Sequence, residues 1–318
     1  MKITVLDGLT LNPGDNPWDA LLEFGGLAVH DRTPPAEILT RAADADILLT
    51  NKTVLSRETL DKLPRLKFVS VLATGHNVVD GKAARERGIP VSNVPTYGTD
   101  SVAQHALALL LELTNNVGGA ERAVRDGRWE ACADFCFWDR RTIELRGKTL
   151  GLVGFGKIGQ QMGRLGLALG MDVIYADRSE VRAPGLETAR RATLETLFAE
   201  ADVVSLHCNQ TPENERFVNA ALLGRMKPSA FLINTARGGL IDEPALEAAL
   251  RARKIAGAGL DVLSSEPPSG GNSLIGAPNC VITPHVAWSS LAGRRRLMAT
   301  TVGNVRAFLA GAPVNVVN

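Results

Sequence analysis

The turn Gly154-Phe155-Gly156-Lys157-Ile158-Gly159 constrains the fold more than any other feature of the chain. The glycine spacing alone is weak, because 31 glycines make chance matches easy. Its surroundings carry the weight. An apolar run, residues 149–153, leads straight into Gly154, and Ile158, Met162, Leu165 and Leu169 continue as one face of a helix expected to open at the third glycine. In such a strand-turn-helix unit the first glycine permits a tight turn, the second lets backbone approach a pyrophosphate, and the third lets the helix pack closely on its strand. The helix N-terminus adds N–H donors and partial positive charge.

From residue 149 onward the chain repeats this rhythm. Apolar runs at 149–153, 173–175, 203–206, 230–233, 259–262 and 281–283 predict six strands of a complete doubly wound sheet. A second series precedes it, with runs at 3–6, 47–50, 68–72 and 89–94 separated by alanine-rich or charged helical stretches. Asp100, Ser101 and Gln104 predict a helix start with Ser101 as the cap, and Val102, Ala106, Leu109, Leu110 and Leu113 form its apolar stripe. The last helical stretch, 289–309, is expected to return to the first domain. At 318 residues, two domains are the ordinary expectation. The predicted fold is α/β with two doubly wound parallel-sheet domains. One domain takes residues 1–99, completed by 287–318, and a Rossmann dinucleotide domain takes 100–286.

Charge narrows the partners. With 35 lysines and arginines against 34 acidic residues, no field argues for nucleic acid or a membrane surface. The longest apolar run, 106–111, is far below the roughly 20 residues that cross a bilayer. No secretory signal opens the sequence, and Cys132, Cys136, Cys208 and Cys280 are too scattered for a disulfide framework or a zinc site. A soluble cytoplasmic protein with a small-molecule substrate and no metal is expected.

Asp177 stands about 20 residues beyond the glycines, where a carboxylate can accept ribose hydroxyls and repel a 2′-phosphate. NAD is therefore expected over NADP. Arg178 leaves NADP open, since a guanidinium there could pair with that phosphate. Further on, Arg237, Glu266 and His285 each follow a predicted strand, at the edge where such sheets bind ligands. An arginine grips a carboxylate bidentately and a histidine delivers a proton, while a glutamate beside such a histidine favours its imidazolium form. Singly, each has a plain structural alternative, as a strand-end cap, a solvated loop acid or a satisfied histidine. His30, His76, His105 and His207 lack comparable company, and a structural role is expected for them.

These segments, with Asn234-Thr235-Ala236-Arg237-Gly238-Gly239, Leu260-Asp261-Val262-Leu263-Ser264-Ser265-Glu266-Pro267-Pro268 and Ile282-Thr283-Pro284-His285-Val286-Ala287-Trp288, occur in the order of the D-isomer-specific 2-hydroxyacid dehydrogenases. The chain resembles that family over nearly its full length, which implies that residues 1–99 with 287–318 form a flavodoxin-like substrate domain. The resemblance implies a catalytic triad of Arg237, Glu266 and His285. It also implies a cofactor site that includes Thr74, Gly154, Gly156, Lys157, Ile158, Gly159, Asp177, Cys208, Thr235, Ala236 and Asp261. Thr74, Gly75 and His76, with Arg237 and His285, are implied for the substrate, in a cleft that closes between domains.

Residues 97–105 and 134–139 look most like the glycerate dehydrogenases, also called hydroxypyruvate reductases. Two departures stand out: Gln104 where a glutamate is common, and Asn209-Gln210 in place of a proline-containing pair. The expected reaction is reduction of hydroxypyruvate or glyoxylate by NADH. Two alternatives stay open: the same chemistry on another 2-oxo acid, and a NAD-sensing corepressor without activity. A homodimer through the long helix and the segment up to Arg141 is also implied.

Overall fold

The computed structural model describes residues 1–318 and divides into two compact units, Met1–Gly98 with Trp288–Asn318, and Thr99–Ala287. In the first unit five parallel strands, β1 (Lys2–Val5), β2 (Gly26–Val29), β3 (Ile47–Thr50), β4 (Phe68–Val71) and β5 (Val91–Ser92), lie in the order β2-β1-β3-β4-β5. This is the flavodoxin-like winding. β3 and β4 are buried along their whole length, as strands covered by helices on both faces must be, which is why they read as unbroken apolar runs. The run at 89–94 shortens to Val91–Ser92 because Pro90 cannot donate to the ladder.

The C-terminal helix Leu291–Leu309 completes this unit, capped by Ser290, whose side chain accepts the Gly293 N–H at 3.0 Å. Its Leu297, Val302 and Val305 are buried, each contributing about 1.5–3 kcal/mol of apolar burial. Phe308 stacks on Phe68 with centroids 4.5 Å apart. The buried Asn304 donates Nδ2–H to the Asn93 carbonyl at 2.9 Å, so its polar end is satisfied inside the core.

In the second unit β6 (Thr149–Val153), β7 (Asp172–Ala176), β8 (Arg190–Arg191), β9 (Val203–Leu206), β10 (Phe231–Asn234), β11 (Gly257–Leu260) and β12 (Cys280–Ile282) form one parallel sheet, ordered β12-β11-β10-β9-β6-β7-β8. The strand order reverses across the parallel β6–β9 pair, the switch point at which open α/β sheets bind ligands.

Seven strands stand where six were expected. Arg190–Arg191 is the extra one: an exposed sheet edge needs no apolar face, so nothing in its sequence announces it. The other edge strand, Gly26–Val29, is apolar but short, four residues that open with a glycine. The long helix runs Thr99–Asn115, which puts Ser101 inside its first turn rather than at the cap. Val102, Ala106, Leu109, Leu110 and Leu113 are buried as the stripe requires. No helix is long and apolar enough to cross a membrane.

Candidate active site

At the end of β6, Gly154 takes φ +91°, and a Cβ there would lie 2.7 Å from the Cys208 amide nitrogen. Both facts demand glycine. The helix that follows, Lys157–Ala168, is capped by Gly156 and so opens before the third glycine, not at it. Gly156 has no heavy atom within 4 Å of a built Cβ, so its face is open to a ligand. Lys157, Ile158 and Gly159 occupy the first turn, where N–H groups have no partner within the helix.

A Cβ on Gly159 would overlap the Gly154 carbonyl oxygen, and one on Gly166 would come within 2.6 Å of a Leu150 methyl. The face turned to the sheet is therefore Gly159, Met162, Gly163 and Gly166, all buried. The expected face is displaced accordingly. Ile158 and Leu165 are half-buried and Leu169 is exposed, because this helix lies too close to β6 for large side chains.

Asp177 follows β7 and accepts the Phe155 N–H on Oδ2 at 2.6 Å and the Arg178 N–H on Oδ1 at 2.7 Å. The carboxylate thus braces the glycine turn. Arg191 donates to the carbonyls of Asp177 and Arg178, both at 3.0 Å, placing a second guanidinium at the same strand ends. Phe155 stacks on Tyr175 with centroids 4.0 Å apart.

Behind the turn, burial pushes the Cys208 thiol up to about 11 and the His207 imidazole down to about 4, so both are neutral at pH 7. Thr235, just past β10, is buried and its hydroxyl has no protein partner, leaving a polar atom for a ligand to satisfy. Ala236 donates its N–H to Asn234 Oδ1 at 3.0 Å. The open Gly156 face, the unpaired first-turn amides, the Asp177 carboxylate and the Thr235 hydroxyl together fit a dinucleotide.

Arg237 continues the same turn. Its exposed guanidinium donates Nη1–H to the Ala236 carbonyl at 2.7 Å, while Asn234 Nδ2 holds the Arg237 carbonyl at 2.9 Å. Gly238 comes so near residue 263 that a Cβ would overlap the Leu263 carbonyl. That approach brings the arginine's turn against the loop of Glu266. Glu266 Oε1 accepts the Leu263 N–H at 3.0 Å, and Oε2 stands 2.6 Å from His285 Nδ1.

His285 is held at φ +55°, a left-handed conformation uncommon for a residue with a side chain. The buried Asp261 secures it from both sides. Its carbonyl accepts the His285 N–H at 2.8 Å, and its carboxylate accepts the N–H groups of Val286 at 2.9 Å and Ala287 at 2.8 Å. Burial disfavours the Asp261 charge, but hydrogen bonds from His105, Thr283, Ala287 and Val286 outweigh it and hold the carboxyl below its ordinary range.

In the first unit, Thr74, Gly75 and His76 lie in the loop after β4. Thr74 donates its hydroxyl to the Val94 carbonyl at 2.8 Å, and Asn93 Nδ2 donates to the Thr74 carbonyl at 2.8 Å. The backbone N–H groups of Gly75 and His76 meet no protein acceptor, as an anion-binding loop requires.

Asn234 and Gly238 do not stand out by residue type, although a glycine directly after a candidate arginine is itself a sign of close approach. The departure at Asn209-Gln210 has a structural neighbour: the Gln210 amide fills the space a side chain on Gly239 would need.

A family model described as D-isomer specific 2-hydroxyacid dehydrogenase, NAD binding domain, matches residues 107–287. A hydroxypyruvate reductase of Blautia hydrogenotrophica is 49% identical over 321 residues, covering 100% of both chains. A glycerate dehydrogenase of Methylorubrum extorquens is 41% identical over 285 residues, 89% of this chain and 88% of the relative. Among solved structures, an NADPH-dependent glyoxylate/hydroxypyruvate reductase of Sinorhizobium meliloti superposes with a TM-score of 0.86 at 30% identity, covering 99% of this chain and 97% of the other.

Proposed function

The chain belongs to the D-isomer-specific 2-hydroxyacid dehydrogenase family, and from that premise we propose that it reduces hydroxypyruvate to D-glycerate, with glyoxylate as a smaller substrate. It is a NAD-dependent oxidoreductase. The observation that carries the proposal is the hydrogen bond of 2.6 Å between His285 Nδ1 and Glu266 Oε2, close to the turn that bears Arg237.

Each residue has a chemical part. The Arg237 fork binds the substrate carboxylate and polarises the C2 carbonyl. Glu266 keeps the Nδ1 proton of His285 in place, so the proton His285 gives to the carbonyl oxygen leaves from Nε2. Bound NADH supplies the hydride that reaches C2, and hydride plus proton convert the ketone to a hydroxyl. The free amides of Gly75 and His76 suit the substrate carboxylate, and Thr74 the nicotinamide end. Gly154, Gly156, Lys157, Ile158 and Gly159 hold the pyrophosphate, Asp177 the ribose, and Cys208, Thr235, Ala236 and Asp261 the remainder of the dinucleotide. A NAD-sensing corepressor would have no use for an acid, a base and an arginine so arranged.

A homodimer accords with the exposed Val117, Val124, Trp129, Phe135 and Trp138, an apolar surface that an isologous pair would cover. Four unpaired cysteines accord with the cytoplasm. The test is NADH consumption with a panel of 2-oxo acids. Hydroxypyruvate should give the highest kcat/KM, and protein that binds NADH yet reduces none of the panel would refute the assignment.

A further inference from the structure

His105 stands among the histidines for which the sequence suggested only a structural role, yet it reaches the loop that carries His285. It projects from the helix Thr99–Asn115, and its Nε2 lies 2.9 Å from the Thr283 hydroxyl. Thr283 Oγ1 in turn lies 2.6 Å from Asp261 Oδ1, and His105 Nε2 is itself 3.4 Å from that oxygen.

The direction of this chain is fixed by proton count. A threonine hydroxyl has one hydrogen to give, and the carboxylate of Asp261 can only accept. Thr283 therefore donates to Asp261, and its oxygen receives the Nε2–H of His105. The chain runs His105 to Thr283 to Asp261, and Asp261 also takes the N–H groups of Val286 and Ala287 on the same carboxylate.

Residue 285 thus lies inside a closed clamp. On its N-terminal side the Thr283 side chain is tied to Asp261; on its C-terminal side two backbone amides are tied to the same group; its own N–H goes to the Asp261 carbonyl. A side-chain-bearing residue at φ +55° stays there only while its surroundings insist on it. Without the clamp the imidazole would relax away from the Glu266 oxygen 2.6 Å from Nδ1.

We propose that His105 is a positioning residue for the reduction: by donating to Thr283 it commits the Thr283 proton to Asp261 and locks the 283–287 loop that presents His285. The proposal rests on the reading of His285 as proton donor. With His105 removed, the Thr283 hydroxyl is free to rotate and Asp261 loses two partners at once, so the loop samples conformers in which His285 does not face the substrate. Small misplacement of a reacting group is costly to turnover.

The experiment compares His105→Phe, which keeps the ring and removes the donor, with His105→Gln, whose amide nitrogen reaches the place of Nε2, using NADH and hydroxypyruvate. His105→Phe is expected to lower kcat about tenfold or more while the NADH dissociation constant and Tm stay near wild type. His105→Gln should recover most of the loss. Thr283→Val should resemble His105→Phe, and the double variant should be no slower than the worse single one, because both break the same link.

Wild-type kcat in His105→Phe would overturn the proposal. So would a loss that follows the melting temperature and is not rescued by glutamine. If wild-type protein binds NADH but reduces no 2-oxo acid, the reductase reading falls and this proposal with it. An active wild type with an unaffected His105→Phe removes only the role of His105.

Discussion

Glu266 reaches His285 with one carboxylate oxygen and its own loop with the other: Oε2 is 2.6 Å from Nδ1, and Oε1 accepts the Leu263 N–H at 3.0 Å. The second bond stops the carboxylate from turning, and the first, because a carboxylate only accepts, puts the proton of that contact on Nδ1. Replacing Glu266 by Gln keeps the shape but removes the charge that faces Nδ1. Steady-state kinetics should show kcat reduced about tenfold to a hundredfold in Glu266→Gln, and about a hundredfold to ten-thousandfold in His285→Gln. NADH affinity should stay unchanged in both. A kcat for His285→Gln near that of wild type would remove it from the chemistry.

The three glycines of the turn separate binding from folding. Gly156 is open on its Cβ side and has φ −72°, so Gly156→Ala should shift stability by no more than about 1 kcal/mol. Its methyl group would enter the ligand's space, and NADH binding should weaken sharply. Gly159→Ala must push against the Gly154 carbonyl, and is expected to cost about 1–3 kcal/mol whether or not NADH is present. Denaturant melts paired with fluorescence titrations of NADH decide the matter. Equal loss of stability in the two variants would contradict it.

The glycine turn also shows where sequence and structure part. Strands buried on both faces, such as Phe231–Asn234, announce themselves through unbroken apolar runs. The edge strand Arg190–Arg191 is polar and gives no such signal. Along the helix after the turn, large apolar residues mark the wrong face, because close approach to the Gly154 carbonyl and to Leu152 and Leu150 of β6 selects glycine at 159, 163 and 166. For the site, residue types in order led to Arg237, Glu266 and His285, and the fold puts Glu266 Oε2 2.6 Å from His285 Nδ1 and the Gly238 backbone against Leu263. The clamp built by Asp261 was not legible, since its partners His105, Thr283 and Val286 are distant or unremarkable in sequence. Their meaning comes from the fold that brings them together.

Asp177 makes a third prediction, on cofactor choice. Its carboxylate is fixed by the Phe155 and Arg178 amides, so it opposes a 2′-phosphate from a rigid position, while Arg178 and Arg191 offer positive charge beside it. Asp177→Ser should therefore raise NADPH affinity about tenfold or more by removing the like charge, and lower NADH affinity as the ribose loses its acceptor. Binding titrations with both cofactors test this. An unaltered ratio of the two dissociation constants would show that the preference lies elsewhere.

The last prediction concerns acid stability and the turn itself. His207 follows β9, and a Cβ on Gly154 would lie 2.8 Å from the His207 carbonyl, so this histidine backs the dinucleotide turn. The residue keeps some exposed surface, but its ring is enclosed, bonded at Nε2 to Ser205 at 2.9 Å. Burial lowers the imidazole from 6.5 to about 4. An unfolded chain takes up the proton near 6.5 while the folded one resists it to about 4, so the unfolded state binds more protons throughout that interval. The neutral ring's contribution is full above 6.5, is lost as pH falls toward 4, and levels off below, a change of up to about 3 kcal/mol. His30, lowered by burial and by Arg41, acts in the same direction and remains as an internal reference. Urea unfolding of wild type and His207→Gln should show wild type losing distinctly more stability on acidification from about pH 7 to about pH 4.5. NADH binding to the folded protein should persist over the same range, because the folded ring takes up its proton only near 4. Parallel losses in the two proteins would mean that His207 titrates freely in the folded state.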